Sequence, residues 1–588
     1  MIAAEPLFFH GSGPEDRPLF GWLHRADGPS PVGVVVCNPF GYEAICAHRG
    51  LRHFAEAAAA AGVPALRFDY DGTGDSAGGD RDPGRLRAWI ASARHAADEL
   101  RRLAAVERVV FFGLRLGAMV AALAADGRDD VAGLILVAPV VSGRAHLREL
   151  RALQMALGLP LPPARAAVDT EVQEAAGFVL TPETKAALSE TDLLRLERAP
   201  APAALLIDRD DLPPSSALPD RLTALGVELD RQRLPGYVEL MLGAEHTVVP
   251  KVMVRATAEW LRACAARLPV PAPGAGAAPA QAVRSARFGD VVETAQFVDG
   301  QLFGVLSNPT APVAGRRGLL LLNAGSIHHV GPNRLYVMLA RRWAARGHAV
   351  LRLDLSGIGD SRAWPGEREN LVYAPSAIQD ITRALAVLRR ERGVVDVQAV
   401  GLCSGGYHAF KAAVARVPMD GVVLINPLTF FFKEEEHTEG GEHAVTGETT
   451  RYLRRLRDPE AWRKLLNARV DLRVPARTLT RFVVKRLRGR AQELARRAGL
   501  AVGDDLAHEL KTVTGRHTAL RFVFSAGDPG LQLLNVHGGP TVERLRRTGR
   551  LGIEIIEASN HTFTPLWSQD ALTASLAAHF DPLPAARN

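Results

Sequence analysis

The chain has 588 residues, 47% hydrophobic and 23% charged, with a formal net charge of +7 and a pI near 9.4. That length exceeds one hydrophobic core and calls for two or more domains. The positive charge is mild for this size and Arg greatly outnumbers Lys, so nucleic acid is not an expected partner. The four cysteines, Cys37, Cys46, Cys264 and Cys403, form no CxxC pair, which argues against a disulfide framework or a structural zinc site. No metal and no cofactor is expected. Residues 1–18 lack a basic start followed by an apolar core, and no apolar run approaches the roughly 18 residues of a membrane span. Neither a signal peptide nor an integral membrane segment is therefore expected, and the expected location is cytoplasmic.

Taken in order, the chain repeats itself. Leu19-Phe20-Gly21-Trp22-Leu23 returns as Leu302-Phe303-Gly304-Val305-Leu306. An apolar strand at 32–37, ending in Asn38-Pro39-Phe40-Gly41, returns at 318–322, ending in Asn323-Ala324-Gly325-Ser326. Leu66-Arg67-Phe68-Asp69 and Gly72-Thr73-Gly74-Asp75-Ser76 match Leu351-Arg352-Leu353-Asp354 and Gly357-Ile358-Gly359-Asp360-Ser361. Phe112-Gly113-Leu114-Arg115-Leu116-Gly117 matches Val400-Gly401-Leu402-Cys403-Ser404-Gly405. Collinear matches at a nearly even offset indicate two homologous domains in tandem. Buried strands are expected at 109–112, 133–137 and 203–207, and again at 399–402, 421–425 and 520–524. Strands alternating with helices imply an α/β fold in each half, a mostly parallel sheet with its active site at the carboxyl strand ends. The expected domains are residues 1–267 and 285–588, joined by a Pro/Ala/Gly linker at 268–284. Each half also carries an insert placed to form a helical cap, at about 141–200 and about 428–517. The second is rich in Arg at helical spacing. It reads first as a solvated face, with a peripheral anionic partner as the sharper alternative. The acidic, histidine-bearing run at 434–443 reads as a polar loop.

Val400-Gly401-Leu402-Cys403-Ser404-Gly405-Gly406 has the form of a nucleophile elbow between a strand and a helix. The twin at Gly113 sets the register, so Cys403 is at the centre and Ser404 offers its backbone N–H to an oxyanion. The order nucleophile, acid, histidine is completed by Asp528, after the strand near 520–524, and His561, in Ser559-Asn560-His561-Thr562. Thiol, imidazole and carboxylate in that order suit nucleophilic acyl chemistry. A second oxyanion donor is expected from Gly325 or Ser326. His328, His329 and His408 are expected as polar lining, with substrate contact the lesser reading.

Both halves resemble the α/β-hydrolase fold over nearly the whole chain apart from linker and caps. Gly401-Leu402-Cys403-Ser404-Gly405-Gly406 is similar to the elbow of dienelactone hydrolases, a resemblance that implies a Cys-His-Asp triad. The chain also resembles a fusion of the two hydrolases associated with exosortase systems. One has a Cys-centred elbow, and its sister has Gly-Leu-Arg-Leu-Gly, as at Gly113 to Gly117 here. The run Ala461-Trp462-Arg463-Lys464-Leu465-Leu466 resembles the Cys-type member.

The first half departs from a catalytic pattern at Arg115, because a guanidinium stays protonated and cannot attack a carbonyl. His246 and an acid among Asp208, Asp210 and Asp211 stand where a triad would place them. Arg115 is expected to pair with Asp211 or to bind an anionic substrate group, in a half that is otherwise a pseudo-hydrolase. The primary expectation is acyl transfer through Cys403 from an ester, lactone or thioester, including a carrier-bound or coenzyme A substrate. Two other classes stay open: a non-catalytic scaffold on two hydrolase folds, and an enzyme that uses its basic cap on an anionic membrane surface.

Overall fold

A computed structural model describes residues 4–10, 17–164, 171–269, 281–311, 313–432 and 505–581. Most of the expected linker and second cap, including Trp462 and the run at 434–443, lie outside the described residues. The fold is α/β, with two mostly parallel sheets of eight and nine strands flanked by helices. The chain divides into two compact units, Met1–Val397 with Ala558–Asn588, and Gln398–Glu557.

The first unit holds one whole sheet. Its strands are β1 (Glu5–His10), β2 (Pro18–His24), β3 (Val32–Cys37), β4 (Ala65–Phe68), β5 (Arg108–Leu114) and β6 (Val131–Val137). A small hairpin, β7 (Gln173–Ala175) and β8 (Phe178–Leu180), precedes β9 (Ala203–Asp208) and β10 (Glu228–Arg233). The order is β1-β2-β4-β3-β5-β6-β9-β10. Only the β1–β2 and β2–β4 pairings are antiparallel. Strand β3 shows why it is central. Val32, Val34 and Val36 pack into one apolar cluster and Val35 and Cys37 into another, so both faces are covered. The insert at 141–200 forms the helices Gly143–Ala156 and Pro182–Glu190 with the hairpin between them.

The same unit also contains β11 (Ser285–Phe288), β12 (Val291–Val298), β13 (Leu302–Pro309), β14 (Arg316–Leu322) and β15 (Ala349–Leu353). Here β13 runs antiparallel to β15 and β14 parallel to it, repeating the pattern of β2, β4 and β3. The strands β16 (Val394–Leu402, of which the residues from Gln398 on belong to the second unit), β17 (Gly421–Ile425), β18 (Ala519–Ser525) and β19 (Leu551–Ile556) are parallel in that order. Among the described residues no helix is long and apolar enough to cross a membrane.

Two glycines are required by contact. A Cβ on Gly401 would land on the backbone of Gly405 and Gly406, and one on Gly113 on Gly117 and Ala118. In both halves a strand therefore turns into a helix at van der Waals distance, and only glycine fits the crossing.

Candidate active site

Strand β16 ends at Leu402 and the helix Ser404–Val414 begins two residues later, which leaves Cys403 alone in the turn. Its backbone has φ 58 and ψ −121. Arg115, between β5 and the helix Leu116–Ala125, has φ 55 and ψ −120. Side chains rarely adopt this region, and strain of this kind concentrates at functional turns. The N–H of Cys403 donates to Ile425 O at 2.9 Å, and that of Arg115 to Val137 O at 3.0 Å. Cys403 is a half-buried free thiol, while Ser404 is 1% exposed at the helix start.

The second unit also holds Asp528 and His408. Asp528 follows β18, is buried, and accepts the Gly530 N–H at 2.8 Å as it caps the helix Pro529–Gly538. It thus sits at the same carboxyl edge of the parallel strands as Cys403, with β17 between β16 and β18. At that edge Asn426 donates Nδ2–H to Ser525 Oγ at 2.8 Å and its backbone N–H to Val523 O at 3.0 Å, tying β17 to β18. His408 is buried on the helix Ser404–Val414.

His561 belongs to the first unit, in a turn held by Asn560. Asn560 Oδ1 accepts the Thr564 N–H at 2.7 Å, and Asn560 Nδ2 donates to Thr564 Oγ1 at 3.0 Å. The loop with Gly325 and Ser326 is in this unit too. Gly325 has φ 59, a conformation that favours glycine, and Ser326 is buried with its hydroxyl unpartnered. Asn323 anchors the loop by donating to Ile327 O at 3.0 Å and to Asp354 Oδ1 at 2.8 Å. His328 stacks on His48 with ring centroids 3.8 Å apart. His329 bonds Asp354 Oδ2 through Nδ1 at 2.8 Å and Asp75 Oδ2 through Nε2 at 2.6 Å. Burial alone would lower this imidazole, but the two flanking carboxylates raise it to about 10, so it is a cation at neutral pH and donates both bonds. His328 and His329 also line a cavity of about 310 Å³, with Phe40, Tyr70, Trp89 and Phe178 on its other walls.

The first half corrects two expectations. Arg115 does not pair with Asp211. Its Nε donates to Glu43 Oε1 at 2.8 Å, and its Nη2 forms an ion pair with Glu149. Burial would lower this guanidinium, but Glu43, Tyr237 and Glu149 outweigh it and hold the group above its ordinary range. Asp211 is taken by Arg209 at 2.6 Å and Asp208 by Arg231 at 2.7 Å. His246 does not occupy a triad position either. Its side chain is 74% exposed, and its N–H closes a turn on Gly243 O at 2.8 Å. Glu43 and Glu149 were not candidates, since each lies on an amphipathic helix where an acid is usually solvated.

The sequence profile described as serine aminopeptidase, S33, a hydrolase family, matches residues 45–202 and 314–461, one region per half and together just over half of the chain. The chain belongs to this hydrolase family. The solved structures it resembles are about half its length and include an α/β hydrolase and an esterase. The α/β hydrolase GrgF from Penicillium sp. sh18 is 17% identical, with 45% of this chain and 99% of that one covered and a TM-score of 0.32. An esterase of Pyrococcus furiosus is 14% identical, covering 45% and 91%, with a TM-score of 0.33. A putative hydrolase of Agrobacterium vitis S4 is 16% identical, covering 45% and 99%, with a TM-score of 0.31. No curated protein matches the sequence. The residue held in the strand-to-helix turn is Cys403 in one half of this α/β-hydrolase chain and Arg115 in the other.

Proposed function

We propose that this hydrolase acts through a cysteine nucleophile, transferring the acyl group of an ester, lactone or thioester by way of an acyl-Cys403 intermediate. The observation that carries the reading is Cys403 alone in the strained turn at φ 58, between β16 and its helix. His561 takes the thiol proton as Sγ attacks the carbonyl carbon. The N–H of Ser404 and a donor from Gly325 or Ser326 receive the developing oxyanion, each worth roughly 10²–10³ in rate. The tetrahedral intermediate collapses, the leaving group departs with the proton from His561, and Asp528 orients the imidazole throughout. Water, or another acceptor activated by His561, then attacks the thioester and regenerates the thiol. The first domain, residues 1–267, is a pseudo-hydrolase, since Arg115 is engaged by Glu43 and Glu149 and so is not an open anion site. Residues 268–284 form the linker, and 285–588 the catalytic domain. The acyl substrate includes carrier-bound and coenzyme A thioesters as candidates, and the location is cytoplasmic.

Iodoacetamide alkylation at pH 7, read by peptide mass, tests the base. Burial pushes the Cys37 and Cys46 thiols up to about 12, so they form a slow background. Alkylation of Cys403 is expected to slow by about tenfold in His561→Ala. Equal rates in parent and variant would favour the scaffold reading, for which the ion-paired Arg115 elbow is the one specific observation.

A further inference from the structure

The repeated Gly-x-Gly-Asp-Ser motif binds its counterpart half reciprocally. Asp360 Oδ1 accepts from Arg67 Nη2 at 2.8 Å, and its Oδ2 lies 3.2 Å from His48 Nε2. Asp75, the equivalent residue of the first half, forms an ion pair with Arg352 and accepts from His329 Nε2 at 2.6 Å. Arg67 and Arg352 are themselves equivalent in the two repeats. Each aspartate thus takes an arginine and a histidine from the other repeat, the pattern of a two-fold interface whose two copies share one chain. All four acids and arginines are at most 7% exposed. Further contacts follow the same logic. Arg334 donates to the carbonyls of Gly72, Gly74 and Gly78 at 2.8–2.9 Å, while Arg52 bonds Glu369 at 2.6 Å. Trp22 and Phe303 meet at 4.5 Å between centroids.

The two sides are not equal, and the inequality falls beside the loop that the proposed mechanism uses. His329 spends its second nitrogen on Asp354, which also holds Asn323 at 2.8 Å, so both ends of the segment 323–329 are pinned to one buried carboxylate. His48 instead stacks on His328. His329, Asp354 and Asp360 approach closely enough to suggest a cation site, yet both imidazole nitrogens of His329 are already engaged.

We infer that Asp75 is a positioning residue, supplied by the pseudo-hydrolase half, that fixes the 324–326 loop of the other half through His329. This rests on the acyl-Cys403 reading. It also gives the first half a role that needs no nucleophile: Arg115 can lose chemistry while Asp75 keeps its grip.

The test is Asp75→Asn in the full chain, with two rates measured on Cys403. Acylation by p-nitrophenyl acetate develops an oxyanion; displacement of iodide from iodoacetamide does not. Acylation is expected to fall about tenfold or more while alkylation stays within about twofold. Asp360→Asn, which loosens the opposite side, is expected to leave the ratio of the two rates near that of the parent. Unchanged rates, equal loss in both, or the same selective loss in Asp360→Asn would overturn the inference. His329→Gln serves in the same comparison if Asp75→Asn does not fold. Hydrogen exchange separates this inference from the reading beneath it. Amides of residues 324–329 are expected to exchange faster in Asp75→Asn, and unchanged exchange refutes the positioning role. A parent Cys403 that acylates no faster than a denatured thiol refutes the catalytic reading instead.

Discussion

Replacing Cys403 by alanine is expected to lower turnover of an acyl thioester by at least about 10³-fold with the fold intact. The elbow tolerates the change sterically, since alanine is smaller than cysteine and the turn is shaped by Gly401 and Gly405. What is lost is the atom that forms the covalent intermediate. Oxyanion donors and substrate binding alone leave a small residual rate. Ser404→Ala should be close to neutral by comparison, because only its backbone N–H enters the proposed chemistry. A large loss in Ser404→Ala with turnover retained in Cys403→Ala would move the nucleophile by one residue and refute the register.

The second large effect is on stability. Arg352 is fully buried, pairs with Asp75, and donates to Glu293 Oε1 at 3.1 Å. Burial would raise the Asp75 carboxyl, but Arg352 and His329 pull it well below its usual range. Arg352→Met roughly keeps the volume and leaves two buried carboxylates beside each other without their shared cation, Glu293 keeping Arg341 and the Ser307 hydroxyl, each at 2.8 Å, and Asp75 keeping His329 at 2.6 Å. Breaking one side of a buried pair costs about 3–5 kcal/mol. Urea denaturation should show that loss as a lower midpoint. Arg267→Met supplies the contrast. Arg267 and Glu228 also pair at 2.9 Å, but their side chains are 64% and 67% exposed, so solvent screening keeps the cost under about 1 kcal/mol. Similar losses in the two variants would mean that the buried network contributes no more than a surface pair.

Much of the fold was legible because it rests on local pattern. The eight strands expected from apolar runs all fall inside observed ones, for example 109–112 within β5 and 520–524 within β18. The repeat was legible because glycine spacing at Gly113 and Gly401 answers to backbone contact, which leaves few alternatives. The partners of Arg115 were not. Pairing it with Asp211 assumed that the acid of a triad keeps its place once the nucleophile is gone, whereas Glu43 and Glu149 reach it from helices 72 and 34 residues away. The Asp75–His329 bond joins residues 254 apart, and no periodicity reports such a contact. The matched Gly-x-Gly-Asp-Ser runs were visible in the sequence as a repeat. Their use as a reciprocal clasp was not, since a conspicuous aspartate in a turn usually caps its own loop.

The central claim is tested most directly by mixing the protein briefly with an activated acyl thioester, quenching in acid, and measuring the mass of the Cys403 peptide. An added acyl mass on that peptide, absent in Cys403→Ala, is the predicted result. Turnover without any acyl mass on Cys403, or with the acyl group on Ser404, would contradict it.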